Sequence, residues 1–115
     1  MIAEDSAATR MMLKDILVTS GHDIIAEAKD GVEAMEKIKS TKPEILLLDY
    51  SMPKKHGLDV LKEMGNRNGT KIIMITVNDE QEVIRQCTML GVSAYLVKPF
   101  DTDMVVKAIS YAEAN

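Results

Sequence analysis

The 115-residue chain is 46% hydrophobic and 28% charged, which supplies one compact core and leaves no room for a second domain. A net charge of −4 argues against direct binding to nucleic acid or to anionic membranes, and no apolar run approaches the roughly 20 residues of a membrane span. Cys87 stands alone, so no intrachain disulfide forms, and with no signal-peptide pattern before the first charges the composition suits a reducing cytoplasm.

Met1–Glu4 opens the chain as a strand, short for an interior one against the usual length of about 5–6 residues, and it reads as truncated at its amino end. Ser6–Thr19 follows as a helix, then Asp23–Ala28 as the second strand. Asp30-Gly31 punctuates the entry to a helix whose stripe is Val32, Met35 and Ile38. Lys42-Pro43 ends that helix before the strand Ile45–Asp49. Leu58, Leu61 and Met64 mark the third helix, and Asn68-Gly69 the turn into the strand Lys71–Thr76. Val83, Cys87 and Leu90 mark the fourth helix, and Gly91 precedes the strand Ala94–Val97. Asp101–Ala114 is the last helix, and Asp79 and Asp101 are N-cap candidates for the final two. With nine Met and one Phe, the core is expected to be aliphatic, with Met filling its gaps.

Five strands alternating with five helices make a (βα)₅ order, and short, mostly unalternating apolar strands suit a parallel sheet covered on both faces. Open α/β sheets carry their sites at the carboxyl ends of the strands. Glu4 and Asp5, Asp49, Thr76 and Lys98 all fall at such ends. Three neighbouring carboxylates repel one another unless a cation neutralises them. Oxygen donors in an incompletely filled cup suit Mg²⁺, with Mn²⁺ as a substitute; zinc would call for Cys or His. Taken singly, each residue has a plain explanation as cap, helix-end charge or solvated terminus. Their convergence on one edge does not.

The segments EDSAATRMMLKDIL, LLLDYSMPKKHG, KIIMIT and AYLVKPF together resemble the receiver domain of two-component response regulators, in the family's order and over essentially residues 1–115. The flavour is that of single-domain chemotaxis regulators. The resemblance implies a flavodoxin-like, doubly wound sheet of order 2-1-3-4-5. It implies that Asp49 accepts a phosphoryl group from a histidine kinase's phosphohistidine. Asp5, Asp49 and the backbone carbonyl of Ser51 would hold Mg²⁺, with Glu4 acting through water. Lys98 would offset phosphoryl charge, and the Lys98-Pro99 peptide would be cis. Thr76 and Tyr95 would form the switch, repopulating an output face made of the fourth helix, fifth strand and fifth helix. The expected state is a cytoplasmic monomer, or a weak dimer dependent on phosphorylation, that switches rather than turning over substrate.

Departures from the family pattern carry their own expectations. Val77, larger than the usual small residue, and Asn78 beside it are placed to modulate access to the acceptor. Lys54, Lys55 and His56 make a basic loop that is either simply solvated or recognises an acidic partner. A receiver cut from a multidomain transcriptional regulator and a receiver-like module independent of phosphorylation remain alternatives. A phosphatase of the haloacid-dehalogenase type would place a second Asp two residues after the nucleophile, where this chain has Ser51. A flavodoxin-like electron carrier would need a phosphate-cradling loop where Glu4 and Asp5 stand.

Overall fold

The computed structural model describes residues 1–65, 69–77 and 81–114. Among them the chain alternates five strands and five helices: β1 Ile2–Ala3, α1 Ala7–Thr19, β2 Glu27–Ala28, α2 Gly31–Thr41, β3 Ile45–Asp49, α3 Gly57–Met64, β4 Lys71–Thr76, α4 Gln81–Met89, β5 Ala94–Val97 and α5 Thr102–Ala114. All strand pairs are parallel and the sheet order is β2-β1-β3-β4-β5. The expected doubly wound topology is therefore present.

Alternation along the strands divides the core in two. Leu46, Leu48, Ile72 and Met74 face one side, where α2, α3 and α4 contribute Met35, Ile38, Val60, Leu61, Val83 and Cys87. Leu47, Ile73, Ile75 and Leu96 face the other, against Leu13 and Leu17 of α1 and Val105 and Ile109 of α5. Because helices cover both sides, every residue of Ile72–Ile75 is buried, each burial contributing about 1.5–3 kcal/mol. Cys87 packs in this core. The methionines are split: Met35, Met52 and Met74 fill the interior, whereas Met11 and Met89 are exposed.

The helices begin where side chains satisfy their free N–H groups. Ser6 Oγ accepts from the Thr9 N–H at 3.2 Å, Asp30 Oδ1 from Glu33 at 2.8 Å, and Asp101 Oδ1 from Met104 at 2.9 Å. Asp101 is the N-cap expected of it, whereas Asp79, Asn68 and Asn78 lie outside the described residues. Lys42, at φ 48°, ends α2 ahead of Pro43.

Two expectations are corrected. The second strand is Glu27–Ala28 rather than Asp23–Ala28, because it lies at the sheet edge and its one neighbour, β1, offers only Ile2 and Ala3 as partners. In α2 the inward stripe is Gly31, Ala34, Met35 and Ile38, spaced i, i+3, i+4, i+7, which leaves Val32 exposed.

Candidate functional site

Strand ends and the turns that follow them deliver the site. β1 leads into Glu4, whose N–H donates to the Ala28 carbonyl at 2.9 Å, and α1 starts two residues after Asp5. β3 ends on Asp49, paired with Ile75 of β4, and the next N–H, of Tyr50, donates to the Ile75 carbonyl at 2.7 Å. β4 ends on Thr76, whose carbonyl accepts from the Lys98 N–H at 2.8 Å just beyond β5. Gly57 closes the loop after Asp49: a Cβ there would lie 2.4 Å from the Asp49 carbonyl oxygen, so only glycine lets α3 start this close to the acid.

Glu4, Asp5 and Asp49 each offer a carboxylate oxygen within 4.8 Å of the others. Glu4 is fully buried and Asp49 is 4% exposed, while Asp5 faces solvent. Lys98 Nζ lies 2.7 Å from Glu4 Oε1 and 3.7 Å from Asp49 Oδ2, so its nearer partner is Glu4 rather than the expected acceptor. Glu4 Oε2 accepts from the Ser6 N–H at 2.9 Å, and Asp49 Oδ1 from the Ser51 N–H at 3.3 Å.

Burial, followed by the charge of Glu4 and a hydrogen bond shared with it, pushes the Asp49 carboxyl up to about 7, against the opposing pull of Lys98 and the Ser51 N–H. For Asp5, partial burial works upward but is outweighed by hydrogen bonding with Glu4 and Asp49 and by the Lys98 charge, so its carboxyl sits below the ordinary carboxylate range. Desolvation works against the Lys98 ammonium, yet Glu4, Asp49 and Asp5 together hold its pKa above the ordinary value. The cluster is an acidic cup short of positive charge.

Its donors fit a hard divalent cation. Glu4 Oε1 is buried and, despite the nearby ammonium, accepts no aligned hydrogen bond. Three carboxylates with one ammonium suit Mg²⁺, which binds through few protein oxygens and retains waters.

The remaining expected residues surround this cup. Thr76 is 3% exposed at the sheet edge, and Val77, 72% exposed, lies directly after it. The Lys98-Pro99 peptide is cis. Tyr95 is half-buried, and its hydroxyl donates to the Ile84 carbonyl of α4 at 2.9 Å and also contacts the Thr88 hydroxyl. Lys54 and Lys55 are each paired within the chain, with Asp30 at 3.5 Å and with Glu63, so the basic loop is locally neutralised. Sequence reading passed over Arg10. Its guanidinium donates to the Glu4 carbonyl at 2.7 Å and lies 3.6 Å from Glu27. Its place one helical turn beyond the acid pair was the available signal.

The chain matches the response regulator receiver domain family over residues 1–110. The chemotaxis protein CheY of Bacillus subtilis is 37% identical over 111 residues, spanning 96% of this chain and 92% of that protein. The transcriptional regulatory protein PdtaR of Mycobacterium tuberculosis is 35% identical over 112 residues, which cover 97% of this chain and 55% of that protein. Among solved structures, a chain of the CheX–CheY–BeF₃–Mg²⁺ complex from Borrelia burgdorferi superposes with a TM-score of 0.93 at 31% identity, covering 99% of this chain and 87% of that one.

Proposed function

The chain belongs to the response regulator receiver domain family of two-component systems, and on that premise we propose that Asp49 is its phosphoryl acceptor. Receiver domains of this family take phosphoryl groups from histidine kinases and bind output partners. The observation that carries the assignment to Asp49 is its place at the end of β3, with Glu4, Asp5 and Lys98 converging on it. An Asp49 carboxylate oxygen attacks phosphorus, the phosphorus–nitrogen bond to the donor histidine breaks, and its electron pair stays on the imidazole. The product is an aspartyl phosphate.

Asp5, Asp49 and the Ser51 carbonyl would hold Mg²⁺, with Glu4 reaching through water; when bound, the ion supplies the positive charge that offsets the carboxylates and the incoming phosphoryl oxygens. The Mg²⁺ in the Borrelia complex supports this reading. Lys98 shifts part of its charge from Glu4 toward the phosphoryl group. Val77 restricts entry of small donors.

Thr76 reads the modification by turning its hydroxyl toward the phosphoryl oxygen, and Tyr95 exchanges its bonds to α4 for an inward position. A shift from 1:99 to 99:1 between the two states requires about 5.5 kcal/mol of differential stabilisation. The output face is α4, β5 and α5, and no helix among the described residues is long and apolar enough to cross a membrane. The domain acts in the cytoplasm as a stand-alone, chemotaxis-like regulator, monomeric or weakly dimeric when phosphorylated.

Intact mass after incubation with acetyl phosphate tests the proposal. The protein gains one phosphoryl group with Mg²⁺ and none with chelator, and Asp49→Asn gains none in either case. An adduct that persists in Asp49→Asn would place the acceptor elsewhere.

A further inference from the structure

Gly31 opens α2, a position where glycine is a poorer helix former than alanine, so the helix does not account for it. The loop after Asp49 does. A Cβ on Gly31 would lie 2.1 Å from the Lys55 carbonyl oxygen and 2.4 Å from the Lys55 Cβ. The obstructing atoms are backbone and Cβ, with no flexible side-chain end to swing aside. The Gly31 N–H itself donates to the Pro53 carbonyl at 3.3 Å.

The preceding residue is tied to the same loop. Asp30, 6% exposed, caps α2 with Oδ1 and holds Oδ2 3.5 Å from Lys54 Nζ. Lys54 takes up a left-handed φ of 67°, and the Lys55 N–H donates to the Pro53 carbonyl at 2.7 Å. The segment from Tyr50 to His56 is thus seated on the first turn of α2 at one end and closed by the Gly57 N–H on the Tyr50 carbonyl, at 2.9 Å, at the other.

We infer that Gly31, supported by Asp30, is a positioning residue for the phosphoacceptor loop: its missing side chain lets α2 seat the loop backbone, which in turn fixes Ser51 and Asp49 for Mg²⁺. This rests on the assignment of Asp49 and Ser51 proposed above. It also gives the basic loop a role: Lys54 anchors the loop to α2, and its charge is spent within the fold.

The test compares Gly31→Ala with Gly21→Ala. The second is a control at the end of α1, where φ is 90° but no atom lies within 4 Å of an added Cβ. Both variants lower Tm. Only Gly31→Ala is expected to speed amide exchange at Lys55 and Gly57 and to weaken Mg²⁺ binding, measured by calorimetry, by about tenfold, the scale of losing support behind a metal ligand. Asp30→Asn keeps a good N-cap and removes the charge facing Lys54, and it is expected to weaken Mg²⁺ binding about twofold; it carries the test if Gly31→Ala does not fold. Unchanged exchange and unchanged Mg²⁺ affinity in Gly31→Ala, or equal changes in Gly21→Ala, overturn the inference. Faster exchange with unaltered affinity overturns the positioning role. Absence of Mg²⁺ binding by the unmodified protein would count against the proposed function instead, and the exchange data would still decide whether α2 seats the loop.

Discussion

The two halves of the sheet are built differently. β3 and β4 pair over five residues, from Ile45 with Lys71 to Asp49 with Ile75, and β4 and β5 over four. β1 pairs over two residues with each neighbour. Asp49, Thr76 and Lys98 therefore stand on or beside long ladders, whereas Glu4 and Asp5 follow the short one. The proposed acceptor is positioned by the sheet. Glu4 depends more on individual tethers: Arg10 on its carbonyl, and Ser6 and Lys98 on its carboxylate.

The sharpest way to break that contrast is to empty the same volume in each half. Ile73→Ala, in the middle of β4, is expected to cost about 4 kcal/mol, and Ile2→Ala about 2–3 kcal/mol because the two-residue strand relaxes around the gap; urea midpoints measure both. Equal costs would show that the short half is as rigid as the long one. Next in size, saturating Mg²⁺ at about 100 times its Kd is expected to stabilise the domain by about 2.7 kcal/mol. Thermal melts with and without chelator check this, and Asp5→Asn should abolish most of the gain. Arg10→Gln follows, at about 1.5 kcal/mol for a partly buried charged hydrogen bond, and Arg10→Lys should recover part of it.

A smaller effect, about 1 kcal/mol, is expected on the firm side from Tyr95→Phe, which removes the hydroxyl from Ile84 and Thr88. Amide exchange along α4 should rise with it. Least is expected from Asp30→Asn in acid. The Glu33 N–H holds the Asp30 carboxyl below its ordinary value of 3.8 against the effect of burial, with Lys54 assisting. Its contribution is present above that value and is lost as pH falls through the lower folded value. The variant's stability should therefore fall less steeply on the acid side.

The long half was also the more legible one. Ile45–Asp49, Lys71–Thr76 and Ala94–Val97 have the same limits in sequence and structure. Ile45–Asp49 and Lys71–Thr76 are largely buried on both faces, and Ala94–Val97, although an edge strand, is paired with β4 along its whole length, so their apolar runs depend little on distant detail. Asp23–Ala28 was not legible in the same way, because an edge strand extends only as far as its neighbour pairs with it. Val32 was misplaced because a stripe of three residues fits more than one helical face until the sheet chooses between them.

In the site, the acids were legible from strand ends, but the nearer approach of Lys98 to Glu4 was not, since both acids lie within reach of one flexible side chain. Gly31 read only as a turn residue. Its meaning rests on a distance to Lys55, a contact across the fold that local spacing does not reveal.

Mapping the modified residue decides whether Asp49 is the acceptor. After acetyl phosphate and Mg²⁺, borohydride reduces an aspartyl phosphate to homoserine, and peptide mass spectrometry locates it. Homoserine is expected at position 49 alone. Reduction at position 5, or none anywhere while a kinase phosphohistidine is also supplied, would contradict it.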